Sequence, residues 1–137
     1  MLIINGILAA IFAALTAIVA KIGLKNVDPM VATGVRSVVM SIFLCMVLVF
    51  FKKDVKNVLS DQNAVIFIII SGILGAISMF FYFNGLQLGE ASKLTALDRT
   101  SVIFVYILAV LFLSEEIRWQ SILGSVMIAA GAILMIK

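Results

Sequence analysis

Five long apolar runs separated by four short polar stretches set the pattern of this chain. A helix that crosses a membrane needs about 20 mostly apolar residues, and runs of that length fall at roughly residues 2–22, 31–51, 64–86, 94–113 and 119–136. Each is too long for a strand and too uniformly apolar for the surface helix of a soluble domain, so the pattern predicts five transmembrane helices. Pro29 sits where the second can begin, since proline suits the first helical turn. The longest connection, residues 52–63, places Val55, Val58 and Leu59 on one face of a short helix lying on the membrane, and the turn Ser114 to Arg118 leads into the fifth span. There Glu115 is placed to cap the last helix, where a carboxylate gains from the helix N-terminus. Trp119 reads as an anchor at the level of the lipid headgroups.

Two finer patterns run through the spans. In the first, Gly6, Ala10 and Ala14, with Ala9, Ala13 and Ala17, repeat at helical spacing. In the fifth, Ser121, Gly124, Ser125 and Gly131 form a run of small residues that lets another backbone approach closely, and is expected to be a dimer interface. The second pattern is polar. Between Asn84 and Thr100 the chain gathers Asn84, Gln87, Glu90, Ser92, Lys93, Thr95, Asp98, Arg99 and Thr100 between two apolar runs. Asp98 and Arg99 fall inside the fourth span, and Arg36 falls inside the second. An ion at membrane depth is costly and marks a functional candidate.

Composition sharpens the class. Of the 137 residues 64% are hydrophobic and 12% charged, with a mean hydropathy of +1.28, against roughly 45–50% apolar residues in soluble domains. The chain reads as an all-α integral membrane protein, with residues 1–137 forming one five-helix transmembrane domain. With no His and a lone Cys45, an internal disulfide is impossible, and no metal site or other cofactor is expected. The same lack of His and of paired intramembrane aspartates leaves neither a serine nor an aspartyl mechanism set up, so the chain is not expected to be an enzyme. The net charge of +3 sits beside apolar spans and reads as a topology signal, without a nucleic-acid role. The first run lacks the basic start of a signal peptide and is expected to be retained as a span, and neither end carries a lipidation motif.

Five spans put the two termini on opposite sides. Lys52, Lys53, Lys56 and Arg118 then share one side, and Lys21, Lys25, Lys93 and Lys137 the other, a balance of four against four once the in-membrane Arg36 and Arg99 are set aside. Orientation follows an excess of Lys and Arg in cytoplasmic loops, and there is none here. Insertion both ways round is expected, giving an antiparallel homodimer whose ten helices form an inverted repeat.

Several segments in order carry a family resemblance: Ala20-Lys21-Ile22-Gly23-Leu24, then Val35-Arg36-Ser37, then Phe81-Tyr82-Phe83-Asn84-Gly85-Leu86 ahead of Gly89-Glu90-Ala91-Ser92, then Leu111-Phe112-Leu113-Ser114-Glu115-Glu116 ahead of Leu123-Gly124. Together they resemble the EamA domain of the drug/metabolite transporter superfamily over nearly the whole chain. Most members look like two such units fused in inverted topology, so this chain looks like the unfused half-size form. The resemblance implies ten helices per working unit and transport of small metabolites or drugs, often outward. The chain departs from many members in reading Asp98-Arg99-Thr100-Ser101 where they have a proline, which leaves the substrate unassigned. Small multidrug exporters, shorter relatives in that superfamily, use a membrane Glu in the first span; this chain has none there, so that proton-exchanging role does not carry over.

The expected function is therefore a secondary transporter of a small organic solute, by alternating access, in a prokaryotic plasma membrane. The alternative is a non-transporting adaptor that stabilises a partner membrane protein through the Gly124 stripe. Candidate residues for solute binding or coupling are Lys21, Arg36, Tyr82, Asn84, Asp98 and Arg99. By topology Lys21, Arg36, Glu90, Lys93, Asp98 and Arg99 belong to one side of the membrane, and Arg36 with Asp98 is the expected ion pair, which would serve function, the locking of spans two and four, or both. Tyr82 reads equally as a path-lining residue and as an interfacial anchor. Desolvation and a nearby Arg act on a membrane carboxylate in opposite directions, so the sequence admits proton coupling through Asp98 without requiring it.

Overall fold

Two aspartates set where two of the three longest helices begin. In the computed structural model, which describes residues 1–52 and 55–136, Asp28 Oδ1 accepts from the Met30 and Val31 N–H groups at 2.8 and 3.2 Å. Asp61 Oδ1 does the same for Asn63 and Ala64 at 3.0 and 3.2 Å. Each satisfies donors that a helix start leaves without a partner. Lys53 and Lys137, counted above for topology, lie outside the described residues.

In chain order the elements are α1 (Leu2–Gly23), a 3₁₀ turn (Leu24–Asn26), α2 (Pro29–Phe50), α3 (Lys56–Ser60), α4 (Gln62–Leu88), α5 (Ala91–Asp98), α6 (Ser101–Leu113) and α7 (Trp119–Ile136). The described residues contain no strand. Five stretches are long and apolar enough to cross a membrane, the fourth running from Ala91 to Leu113 across α5 and α6. The five expected spans are thus present, and the caps extend two of them: α2 starts two residues before the expected 31, and α4 two before 64. The short helix expected on the membrane surface is α3, preceded by the exposed Val55 and carrying exposed Val58 and Leu59.

The fold resolves into two compact units. The first comprises residues 1–21 and 88–137, hence nearly all of α1 with α5, α6 and α7. Within it α7 packs against both α5 and α6. Ala17 of α1 and Ser125 and Ala132 of α7 are buried. The connection between α6 and α7 is held from two ends. Ser114 takes a left-handed conformation (φ 55°) and its N–H, with that of Glu115, reaches back to the Ala109 carbonyl, closing α6. The Tyr106 hydroxyl then clasps the backbone of Arg118, accepting from its N–H at 3.0 Å and donating to its carbonyl at 3.4 Å. The Glu115 backbone N–H thus takes part in ending α6. Trp119 opens α7 and is exposed.

The second unit comprises residues 22–87, with α2, α3 and nearly all of α4. Its buried residues are Leu24, Pro29, Thr33, Phe83 and Leu86. Along α2 the hydroxyls of Thr33, Ser37 and Ser41 each donate to the carbonyl four residues earlier, at 2.7, 2.9 and 2.9 Å. That satisfies groups that lipid cannot. Gln87 Nε2 donates to the Val27 carbonyl at 3.3 Å, which ties the end of α4 to the turn before α2.

Candidate functional site

The fourth span, expected as one helix from residue 94, begins at Ala91 and is interrupted at Arg99 and Thr100. In an uninterrupted α-helix each N–H donates to the carbonyl four residues back. Arg99 still does so, to Thr95 at 3.2 Å. The N–H groups of Thr100, Val102 and Ile103 donate instead to Leu97, Arg99 and Thr100, three residues back, at 3.0, 3.2 and 3.0 Å. The ladder thereby tightens into 3₁₀ geometry for one turn, a departure that in mid-helix often marks a hinge. No Gly or Pro lies between Ala91 and Ser101 to account for it. The physical cause is Thr100: its Oγ1 donates to the Leu97 carbonyl at 2.7 Å, so side chain and backbone of one residue converge on a single acceptor and draw the chain off the α register.

The interruption falls on the two ions singled out in the sequence, Asp98 closing α5 and Arg99 following it. Counting from Ala91, Arg99 is eight residues into the span, or about 12 Å along a helix in an apolar layer about 30 Å thick. The earlier start of α5 therefore carries this charge deeper than the sequence pattern implies. Beside the break lies a groove of about 340 Å³ within the first unit. Ala14, Ala17 and Ile18 of α1 form one side, Ser92, Thr95 and Ala96 of α5 another, Met135 of α7 closes it and Arg99 borders it; the surface turned to the groove is almost wholly apolar. The volume is within the usual range for a small-molecule site, roughly 300–1,000 Å³.

The remaining predicted residues have identifiable local partners. Lys21 Nζ donates to the Gly89 carbonyl at 2.7 Å, a cation on the carbonyl end of α4 that also sets the lead-in to α5. At that lead-in Glu90 and Lys93 form an exposed ion pair at 3.4 Å. In the second unit, Arg36 places its guanidinium 5.3 Å from the centre of the Phe83 ring, and Phe83 is 3% exposed. A cation over an aromatic face in a desolvated place is a strong contact of its kind. Tyr82 leans on the same Phe83, ring centres 6.5 Å apart, and Asn84 Nδ2 donates to the Phe80 carbonyl at 2.8 Å. Arg36 belongs to the second unit and Asp98 to the first.

Of the four residues expected at a dimer interface, Ser125 is the buried one. Ser125 is 6% exposed, and its hydroxyl donates to the Ser121 and Ile122 carbonyls, both at 2.9 Å. Gly124 and Gly131, seven residues apart, lie about 100° round the helix from Ser125 and Ala132, and a Cβ added at either would meet nothing within 4 Å. Sequence reasoning passed over the Thr33-Ser37-Ser41 ladder and the place of Ser92 and Thr95 beside the groove. Their four- and three-residue spacing in otherwise apolar helices was the available signal. Among the described residues no group of His, Cys, Asp and Glu could hold a metal ion.

Comparison with known proteins agrees with this architecture. The EamA-like transporter family matches residues 1–137. The chain is 35% identical over 129 residues to a Sinorhizobium sp protein named an uncharacterized transporter in the cobO 3′ region, covering 94% of this chain and 92% of that one. It is 29% identical over 133 residues to an uncharacterized protein of Methanocaldococcus jannaschii, covering 97% and 94%. No solved structure matches.

Proposed function

The chain belongs to the EamA-like transporter family and is a multi-pass protein of the cell membrane, and from that premise we propose a secondary transporter that moves a small organic solute outward by alternating access, working as an antiparallel pair of chains. The observation that carries this reading is the interruption of the fourth span at Asp98-Arg99-Thr100. Discontinuous helices at membrane depth are where transporters place substrate and coupling sites, because the break aims backbone dipoles that a continuous helix keeps to itself. Here the N–H groups of Thr100 and Val102 pass over the Ala96 and Asp98 carbonyls, and two ionisable side chains stand at the same turn.

We assign solute binding or coupling to Asp98 and Arg99 in the first unit and to Arg36, Tyr82 and Asn84 in the second. Lys21, bonded to Gly89, holds the lead-in to the broken helix in position. The even distribution of Lys and Arg favours insertion in both orientations, and two opposed copies supply the inverted repeat from which alternating access arises. No enzymatic step belongs to this reading. The alternative, an adaptor without transport, is separated from it by the assays below.

The test uses proteoliposomes of the full chain, with Asp98→Asn, Arg99→Gln and Arg36→Ala beside wild type and a panel of labelled organic acids and amines. Loss of flux of at least one solute in Asp98→Asn and Arg99→Gln supports the assignment; equal flux in wild type and all three variants overturns it. Tags at both termini, probed from each side of the membrane, should each be found on both sides. One fixed orientation overturns the antiparallel pair, and a stoichiometric complex with a different membrane protein, without flux, favours the adaptor.

A further inference from the structure

Resting on the transporter reading, we infer that Arg36 receives an oxyanion on its guanidinium, the carboxylate of the transported solute. Three observations in the second unit converge on this class. The first is an unmet charge. Arg36 stands seven residues past Pro29, about 10 Å along α2, where a cation needs a counter-charge. Among the described residues it makes no ion pair and no hydrogen bond. The unit's described carboxylates are committed elsewhere: Asp28 and Asp61 accept the N–H groups that open α2 and α4. Asp61 also lies 22 residues before Phe83, about 33 Å along α4, so it sits at the far end of that helix from the ring that Arg36 touches.

The second observation is how the guanidinium is held. Its carbon lies 5.3 Å from the centre of the Phe83 ring, Phe83 is buried, and Arg36 itself is half-buried. The ring stands five residues before the end of α4, about 8 Å in from it. It therefore keeps the cation within the span, where a free side chain of this length would extend toward the headgroups. A contact to the π face consumes none of the five N–H donors as a hydrogen bond. Those donors form the planar fork that matches the two oxygens of a carboxylate.

The third is what the neighbouring polar groups do. Thr33, Arg36 and Ser37 stand on one side of α2, at three- and four-residue spacing. Both hydroxyls donate back to carbonyls of their own helix, at 2.7 and 2.9 Å. Near the end of α4, Asn84 and Gln87 likewise give an amide hydrogen to the Phe80 and Val27 carbonyls. These side chains spend hydrogens on the backbone, and Arg36 keeps its own. An ammonium group would meet like charge beside Arg36, and a neutral amide would leave the guanidinium without a counter-charge in a poorly hydrated place. An oxyanion answers the charge and the donors together.

The experiment uses the full chain at neutral pH in phosphatidylcholine nanodiscs and radiolabelled benzoate, with benzamide as the uncharged twin and benzylamine as the cation. Benzoate is expected to bind at least about tenfold more tightly than benzamide, the effect of one hydrogen-bonded charge pair, with benzylamine weakest. Arg36→Gln should erase that preference. Arg118→Gln, which removes an equal charge from an exposed position, should keep it. A measurement on wild type stands in if Arg36→Gln does not fold: phenylglyoxal modifies accessible guanidinium groups, and peptide mapping by mass spectrometry should show benzoate, and not benzamide, protecting Arg36. Equal binding of benzoate and benzamide by wild type overturns the inference, as does a preference that survives Arg36→Gln or is lost in Arg118→Gln. An Arg36 that phenylglyoxal does not reach, or that benzoate does not protect, overturns it as well. Displacement of benzoate when a third of the lipid is phosphatidylglycerol overturns it too, in favour of a headgroup phosphate. Flux in vesicles of the same lipid keeps the two readings apart. Charge-selective binding at Arg36 without flux of any solute defeats transport and leaves the anion site standing, whereas flux that ignores both charge and Arg36→Gln does the reverse.

Discussion

Replacing Thr100 with Val removes one hydroxyl and keeps the shape of the side chain, so it isolates what holds the fourth span open. In the native chain Thr100 Oγ1 donates to the Leu97 carbonyl at 2.7 Å, alongside the Thr100 N–H at 3.0 Å. Without the hydroxyl the Leu97 carbonyl loses one of its two donors, and the Thr100 N–H is free to return to Ala96 in the α register. A hydrogen bond of this kind contributes about 0.5–1.5 kcal/mol net, a range that also covers interhelical bonds measured in membranes. Since about 1.4 kcal/mol is a factor of ten, the balance between interrupted and continuous helix should move by roughly two- to twelve-fold. Spin labels at Leu94→Cys and Leu108→Cys, in a Cys45→Ser background, straddle the break with 14 residues between them, about 21 Å apart along a straight helix. Because a 3₁₀ turn rises about 2.0 Å per residue against about 1.5 Å in an α-helix, Thr100→Val should shorten and narrow their distance distribution and change solute flux by a comparable factor, while Thr100→Ser should behave as wild type. If valine leaves both distance and flux unchanged, the hydroxyl does not hold the break and the span is interrupted for another reason.

Phe83→Leu removes the ring over which Arg36 sits at 5.3 Å and should destabilise the second unit by about 1–2 kcal/mol; a double-mutant cycle with Arg36→Met, followed by circular dichroism during denaturation, should return a coupling energy of that order. Leu86→Ala empties a fully buried position (0% exposed) and should cost about 2–5 kcal/mol in the same assay, whereas Phe81→Ala, at 68% exposed, should cost far less. Gly124→Leu and Gly131→Leu place side chains where a Cβ meets nothing within the chain. Each variant should fold as well as wild type and, if that stripe is where two copies meet, should reduce cross-linked dimer on denaturing gels; undiminished dimer moves the interface elsewhere.

Much of this protein was legible from residue order. Five spans follow from hydropathy and length alone, because a bilayer admits few backbone solutions and a run of about 20 apolar residues has to be a helix. Pro29 marked the start of α2. The polar stretch around Asp98 stood out because ions are rare at that depth. The ends of the spans were less legible, since Asp28 and Asp61 cap through hydrogen bonds two and three residues away, and hydropathy does not register a cap.

What required the tertiary structure is of two kinds. One is contact between distant residues: Lys21 on the Gly89 carbonyl, 68 positions away, Arg36 over Phe83, and a groove assembled from α1, α5 and α7 have no local signature, since each depends on how helices pack. The other is register. Ser125 and Gly124 are neighbours about 100° apart round the helix, and packing buries the first while a Cβ on the second would meet nothing within 4 Å. The break in the fourth span belongs here as well: hydropathy averages over a whole run and cannot tell a continuous helix from one in which a threonine hydroxyl captures a carbonyl. Sequence determined that the chain lives in the membrane and where its charges are; packing decided which of those charges is tied to a neighbour, as Lys21 is to Gly89 and Arg36 to Phe83.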